Sequence, residues 1–424
     1  MSRFRPGRFI GVMAGTVAIL AVGIYGPLTL LGPLPSATAT LLAPPATSTT
    51  VSPPVLPVAG TSAVTALTVD DSGTVVAPTL PVTPMATGGS TTPLPLAAIA
   101  KVITALVVLD AKPVEPGESG PAVTLGTADF QSYLDYTAQG SRAVTVFEGE
   151  VWSEQELLQA MLLGSSNNHA DTTARWAFGS VEAYVDAANA WLAKQGFDDT
   201  SVVDATGLHD GSVGTGADLA ALAGLAAGDP VIAAILASPA SALADRRGID
   251  NTTAYLPELG ITGISRSYTD AAGVCFLFTA KVVNGDQTFA FAGAIVGEPD
   301  YDTLDADLAA LVTSATDGVT ELPILNQGDA YVTLNTAWGA TSSAIVGLTK
   351  NTFAWQAAAP ATPSIDLDPV TTGRAGTIIG RVTVDSTAGE ASSTLKLDRT
   401  ISAPGAGWRL LHPVPLITAL LDSR

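Results

Sequence analysis

Residues 94–109, LPLAAIAKVITALVVL, constrain the fold more than any other stretch of this chain. The run is apolar nearly all round, holds proline only at its start and has no breaker after Pro95. That pattern predicts a helix buried inside a domain, because a helix with no polar face has no side to turn to water. One lysine, Lys101, interrupts it. A buried ammonium is costly unless it has partners or a task, so two readings stay open: Lys101 snorkels its charge out of the core, or it serves a site.

The 424 residues suffice for two domains and a large core. A formal net charge of −20, from 39 acidic and 19 basic residues, excludes nucleic acid as a partner, since phosphate binding needs a basic face. The lone Cys275 excludes an intramolecular disulfide and a cysteine-built metal site, and reads as a small buried hydrophobe. His169, His209 and His412 lie far apart without metal-ligand spacing, so neither a metal nor another cofactor is expected.

Arg3, Arg5 and Arg8 precede an apolar run from Phe9 to about Leu31. Its length suits a bilayer span with a cytoplasmic basic flank. Gly26-Pro27 weakens the outer end, and Ala37-Thr38-Ala39 offers a small-residue cleavage site near Ala39 for a secretory signal. The length favours an uncleaved anchor. Either way the rest of the chain is expected outside the cytoplasm: at the cell membrane on a single N-terminal anchor, or secreted if cleaved.

The chain then divides into residues 1–32, an anchor or signal segment; 33–57, a Pro/Ala/Thr-rich linker; 58–320, a mixed domain; and 321–424, a small all-β domain. Within 58–320, Ser62 to Val69 and Thr74 to Ala77 flank Asp70-Asp71-Ser72-Gly73 as a hairpin. Helices are expected over Trp152 to Leu163 with Ser153 as N-cap, Ala170 to Ala177, Val181 to Gln195 with Gly196 as stop, Asp218 to Ala227, Pro230 to Leu236 and Leu304 to Ser314. Strands are expected over Val274 to Val283 and Gln287 to Val296. The fold class is α+β: an antiparallel sheet beside a helical cluster. Trp152, Trp176 and Trp191 read as core, Lys194 and the acids of Asp300 to Asp307 as solvated faces, and Asp204 to Leu208 as a turn.

Three short segments carry a family resemblance, in order. The first is Ala98-Ile99-Ala100-Lys101, the second Ser165-Ser166-Asn167 between Met161-Leu162-Leu163-Gly164 and Asn168-His169-Ala170-Asp171. The third is Ser265-Arg266-Ser267, between Gly260-Ile261-Thr262-Gly263-Ile264 and Tyr268-Thr269-Asp270-Ala271-Ala272-Gly273. From about Ser62 to Ser314 the chain resembles the low-molecular-mass D-alanyl-D-alanine carboxypeptidases, the serine-type penicillin-binding proteins of peptidase family S11. The resemblance implies a penicillin-binding protein/β-lactamase-like transpeptidase fold. Ser-x-x-Lys, Ser-x-Asn and Lys-Thr-Gly would then line one cleft, with a peptidoglycan stem peptide as substrate.

Two of the three motifs are altered. Ala98 stands where the family's nucleophile stands, and losing the nucleophile of a serine hydrolase costs on the order of a millionfold in turnover. Lys101, Ser165 and Asn167 are the retained catalytic positions. Ser265 removes the second active-site ammonium, Ser267 puts a side chain where glycine lets a substrate backbone approach, and Arg266 adds a planar fork able to hold a terminal carboxylate or to block the cleft. Ser265, Arg266 and Ser267 are therefore the substrate-side candidates. The expectation is a pseudoenzyme that binds cell-wall peptides or scaffolds cell-wall proteins. The alternative is an active carboxypeptidase with a non-standard nucleophile, Ser165 or Ser265. A third reading places the function in the C-terminal β domain.

Overall fold

The computed structural model describes residues 13–16, 19, 21–43, 53–70, 72–284, 287–354, 363–386 and 389–422. Two compact units emerge: Ser52–Val319, and Thr320–Arg424 together with Met1–Val51.

The larger unit is built on an antiparallel sheet whose long strands are β1 (Thr61–Val69), β2 (Ile261–Thr269), β3 (Gly273–Asn284) and β4 (Gln287–Glu298), in the order β2-β3-β4-β1. Two short strands, Val75–Val76 and Ala86–Gly89, pair with the two ends of β1. The helices that matter are α1 (Ala100–Ala111), α2 (Glu154–Leu163), α3 (Asn167–Phe178), α4 (Val181–Gln195), α5 (Gly216–Gly228) and α6 (Tyr301–Asp317).

Strands β3 and β4 are buried on both faces, which is why they read as nearly continuous apolar runs rather than as alternating ones. Cys275, Leu277, Ala292 and Ala294 join the main core with α1 and α5. The alternate residues turn the other way: Phe276 stacks on Phe278 at 5.2 Å and meets Tyr255 edge-on at 5.6 Å. Helix α1 is enclosed among α2, α3, α4 and α5, and ten of its residues are buried, Lys101 among them. The buried helix expected from the sequence is thus present, but it begins at Ala100. Leu94–Pro95 forms a short strand with Val213–Gly214, and Ala97–Ile99 is a 3-10 turn.

The local signals hold where chemistry fixes them. Ser153 accepts from the Glu156 N–H while Glu156 accepts from the Ser153 N–H, a reciprocal cap on α2. Asp70 Oδ1 accepts from the backbone N–H groups of Ser72 and Thr74 and shapes the hairpin turn; Asp71 lies outside the described residues. Helix α3 starts three residues earlier than the sequence suggests, because Ser166 supplies its cap.

The smaller unit corrects two expectations. Within the stretch read as linker, Thr38–Leu41 is a strand paired antiparallel with Ala330–Asn335, which gains backbone partners along an otherwise open edge. The C-terminal part is not all β: Ala406–Leu411 and Pro413–Asp422 are helices. They pack on the helix Gly26–Leu31, where Arg409 Nη1 donates to the Gly32 carbonyl at 3.0 Å and the Tyr25 hydroxyl donates to the Leu410 carbonyl. Of the expected membrane span, residues 9–12, 17, 18 and 20 lie outside the described residues; among those described, no single helix is long and apolar enough to cross a membrane, and Val22–Leu31 is a shorter apolar one.

Candidate active-site cleft

The head of α1 forms the floor of the site. Leu96 N–H donates to the Ser212 carbonyl, and Ala97 takes a left-handed conformation with φ 46°, turning the chain into the helix. Ala98 is half-buried and Lys101 lies one turn on, so methyl and ammonium share a face, and both line the cleft. Lys101 is 3 % exposed and its Nζ donates to the Thr206 carbonyl at 2.8 Å. Burial pushes the amine down to about 7, against the pull of the Asp204 and Asp171 carboxylates; the nearby Arg142 cation pushes the same way as burial.

Thr206 belongs to the turn Asp204 to Leu208. The Asp204 carboxylate accepts from the Gly207 and Leu208 N–H groups and from the Thr206 and Ser212 hydroxyls. Gly207 has φ 77°, and a Cβ there would sit 1.7 Å from the Ala97 carbonyl oxygen. The turn is therefore locked against the head of α1, and the lysine's acceptor is fixed in place.

The second wall comes from the junction of α2 and α3. Ser165 is held at φ 51°, a left-handed conformation that a non-glycine residue keeps only where its surroundings over-determine it. Ser166 caps α3, and its hydroxyl lies 2.7 Å from Asn168 Oδ1 and 2.8 Å from His169 Nδ1. His169 is thus a packed capping partner, its ring tilted against that of Trp152 at 4.6 Å. Asn167 is 2 % exposed, its N–H donates to the Arg142 carbonyl at 3.0 Å, and its Oδ1 has no hydrogen-bond partner.

The third wall is β2. A bulge shifts its register between Gly263 and Ser265. Ser265 is buried and lines a small void of about 10 Å³ with Ala98, Lys101 and Ser165. Arg266 also borders that void, but its guanidinium lies over the Tyr255 ring at 4.7 Å and near the Tyr301 ring at 5.8 Å. The Ser267 hydroxyl accepts a hydrogen bond from the Ala98 N–H at 3.2 Å.

The three walls enclose an open cavity of about 310 Å³, lined by Ala98, Lys101, Ser165, Asn167 and Ser267 among others. Of the seven residues singled out in the sequence, these five line it, while Ser265 and Arg266 border only the small void. The liners that the sequence did not single out as site residues include Arg142, Thr206, Tyr268 and Tyr301. Arg142 sits in a loop with no motif, brought in by backbone bonds to the α3 head; Thr206 contributes a main-chain carbonyl, which carries no side-chain signature.

The chain matches, over residues 83–290, the family described as D-alanyl-D-alanine carboxypeptidase. It is a member of peptidase family S11. A D-alanyl-D-alanine endopeptidase from Pseudomonas aeruginosa is 28 % identical over 197 residues, 45 % of this chain and 60 % of that protein. The match thus spans less than two thirds of the relative's length. Among solved structures, penicillin binding protein 5 from Haemophilus influenzae aligns with 84 % of this chain and 100 % of its own, at a TM-score of 0.53 and 16 % identity. Penicillin binding protein 6B from Escherichia coli aligns with 81 % of this chain and 96 % of its own, at 0.53 and 18 %. A peptidoglycan synthesis regulatory factor from Streptococcus pneumoniae aligns with 82 % and 100 %, at 0.52 and 22 %. At these identities the structures establish the fold, and this S11 chain has the penicillin-binding protein fold.

Proposed function

We propose that this chain is a non-acylating S11 protein that binds peptidoglycan stem peptides in the cleft without cutting them. The observation that carries the reading is at Ala98. The residue facing Lys101 has only a methyl group, which cannot attack an acyl carbon. Its N–H, the donor best placed to hold an oxyanion above that position, is directed to the Ser267 hydroxyl. Binding remains chemically served: the cavity is open, and polar residues, among them Ser165, Asn167 and Ser267, line it. The curated relative's name, a D-alanyl-D-alanine endopeptidase, agrees with cell-wall peptides as the ligand class. The apolar N-terminal run would tether the protein at the cell membrane.

The rival reading is a hydrolase using Ser165 or Ser265. Both line one void with Lys101, which favours it; Ser265 borders only that void, whose volume of about 10 Å³ has room for one water and not for an acyl group, so of the two serines Ser165, which also lines the 310 Å³ cavity with Lys101, is the stronger candidate. Intact mass after incubation with a β-lactam separates the two. The native chain is expected to gain no adduct, and the Ala98→Ser, Ser265→Lys, Arg266→Thr, Ser267→Gly variant is expected to gain one. A drug-mass increase on the native chain would sink the proposal, and mapping the adduct would name the nucleophile.

A further inference from the structure

We propose that Arg142 is the cation by which this cleft meets the terminal carboxylate of its peptide ligand. The inference rests on the peptide-binding reading above and assigns the recognition to a residue outside all three motif segments.

The argument starts from charge. The chain carries a formal −20, yet no side chain lining the 310 Å³ cavity is acidic, while Lys101 and Arg142 both line it. The two cations are close enough for Arg142 to disfavour the charged form of Lys101. The carboxylates near Lys101 are otherwise engaged and lie outside the lining: Asp204 holds its own turn, and Asp171 accepts from the Tyr136 hydroxyl at 2.9 Å. A cavity whose charged lining side chains are both cations favours an anionic occupant, and Arg142 is the one of the two that is exposed.

The second strand of the argument is placement. The Arg142 side chain is exposed and, among the described residues, forms no hydrogen bond or ion pair. Its backbone is held firmly. The Arg142 carbonyl accepts from Asn167 N–H, Val144 N–H donates to Asn168 Oδ1 at 3.0 Å, and Asn168 Nδ2 donates to the Val144 carbonyl at 3.0 Å. A free guanidinium on a fixed loop can meet a carboxylate with two parallel N–H donors at low ordering cost. Arg266, the arginine on the motif strand, is instead laid over two tyrosine rings. Lys101 is buried, donates to Thr206 and is held near the edge of neutrality at physiological pH, so it is the weaker anion partner of the two.

Titration calorimetry on the full-length protein in detergent tests the assignment. The probes are N-acetyl-L-Lys-D-Ala-D-Ala and its C-terminal carboxamide. The native protein is expected to bind the acid at least tenfold more tightly than the amide. Arg142→Gln should abolish that preference while leaving the thermal midpoint in place, and Arg266→Gln should keep it. Equal binding of acid and amide by the native protein would overturn the role of Arg142 and leave peptide binding standing. Retention of the preference by Arg142→Gln would also overturn it. Failure of the native protein to bind either probe would remove both this inference and the peptide-binding reading.

Discussion

Lys101 is an amine held inside the fold at the edge of the cleft. It is buried, and among the described residues its hydrogen-bond acceptor is a carbonyl rather than a carboxylate. Burial, the dominant influence, depresses the amine to about 7 from an ordinary value of 10.5. Between those values the unfolded chain binds a proton that the folded one does not, so stability rises with pH across that window. The slope contributed is up to about 1.4 kcal/mol per pH unit. Lys101→Met should remove this rise, read as the difference between urea unfolding free energies at pH 7, 8 and 9. Parallel curves for native and variant would mean that the buried amine keeps its proton.

Among the elements, the turn from Asp204 to Leu208 has the greatest leverage on the cleft, because it touches the head of α1 through main chain alone. Two glycines with similar backbone angles separate conformation from contact. Gly196 ends α4 at φ 84° and has nothing within 4 Å of a Cβ, so Gly196→Ala should lose about 1 kcal/mol from backbone strain. Gly207 has φ 77°, and its Cβ would enter the Ala97 carbonyl. Gly207→Ala should therefore lose about 3 kcal/mol or more and weaken any ligand binding with it. Chemical denaturation of the two variants checks the contrast; equal losses would show that the turn moves freely away from α1.

For the whole molecule, two buried carboxyls contribute to the pH response in acid. Glu154 and Glu298 are fully buried, none of their four carboxyl oxygens has a hydrogen-bond partner among the described residues, and burial raises both to about 7. In the unfolded chain they ionise near 4.5. Their contribution is complete below that value and is lost as pH rises to about 7, since the unfolded state releases the protons first. The pair Glu154→Gln and Glu298→Gln should flatten the decline in thermal midpoint between pH 4.5 and 7. An unchanged decline would assign it to other groups.

What the sequence determined by itself was whatever local pattern controls. The buried helix at Ala100, the Ser153 cap, the glycine stop at Gly196 and the paired apolar strands follow from periodicity and from hydrogen-bonding rules spanning a few residues. The three motif segments also made the family legible, because side-chain identity at fixed spacing carries that information. Tertiary structure alone decided the rest. The bond from Ala98 N–H to Ser267 crosses 169 residues, Lys101 finds a main-chain carbonyl 105 residues away, and Arg142 reaches the cleft through backbone bonds that any residue type could make. Thr38–Leu41 becomes a strand only because the edge of Ala330–Asn335 is there to receive it. Contacts made by backbone groups, or between residues far apart in the chain, leave no periodic trace, so the fold must bring them together before their chemistry can be read.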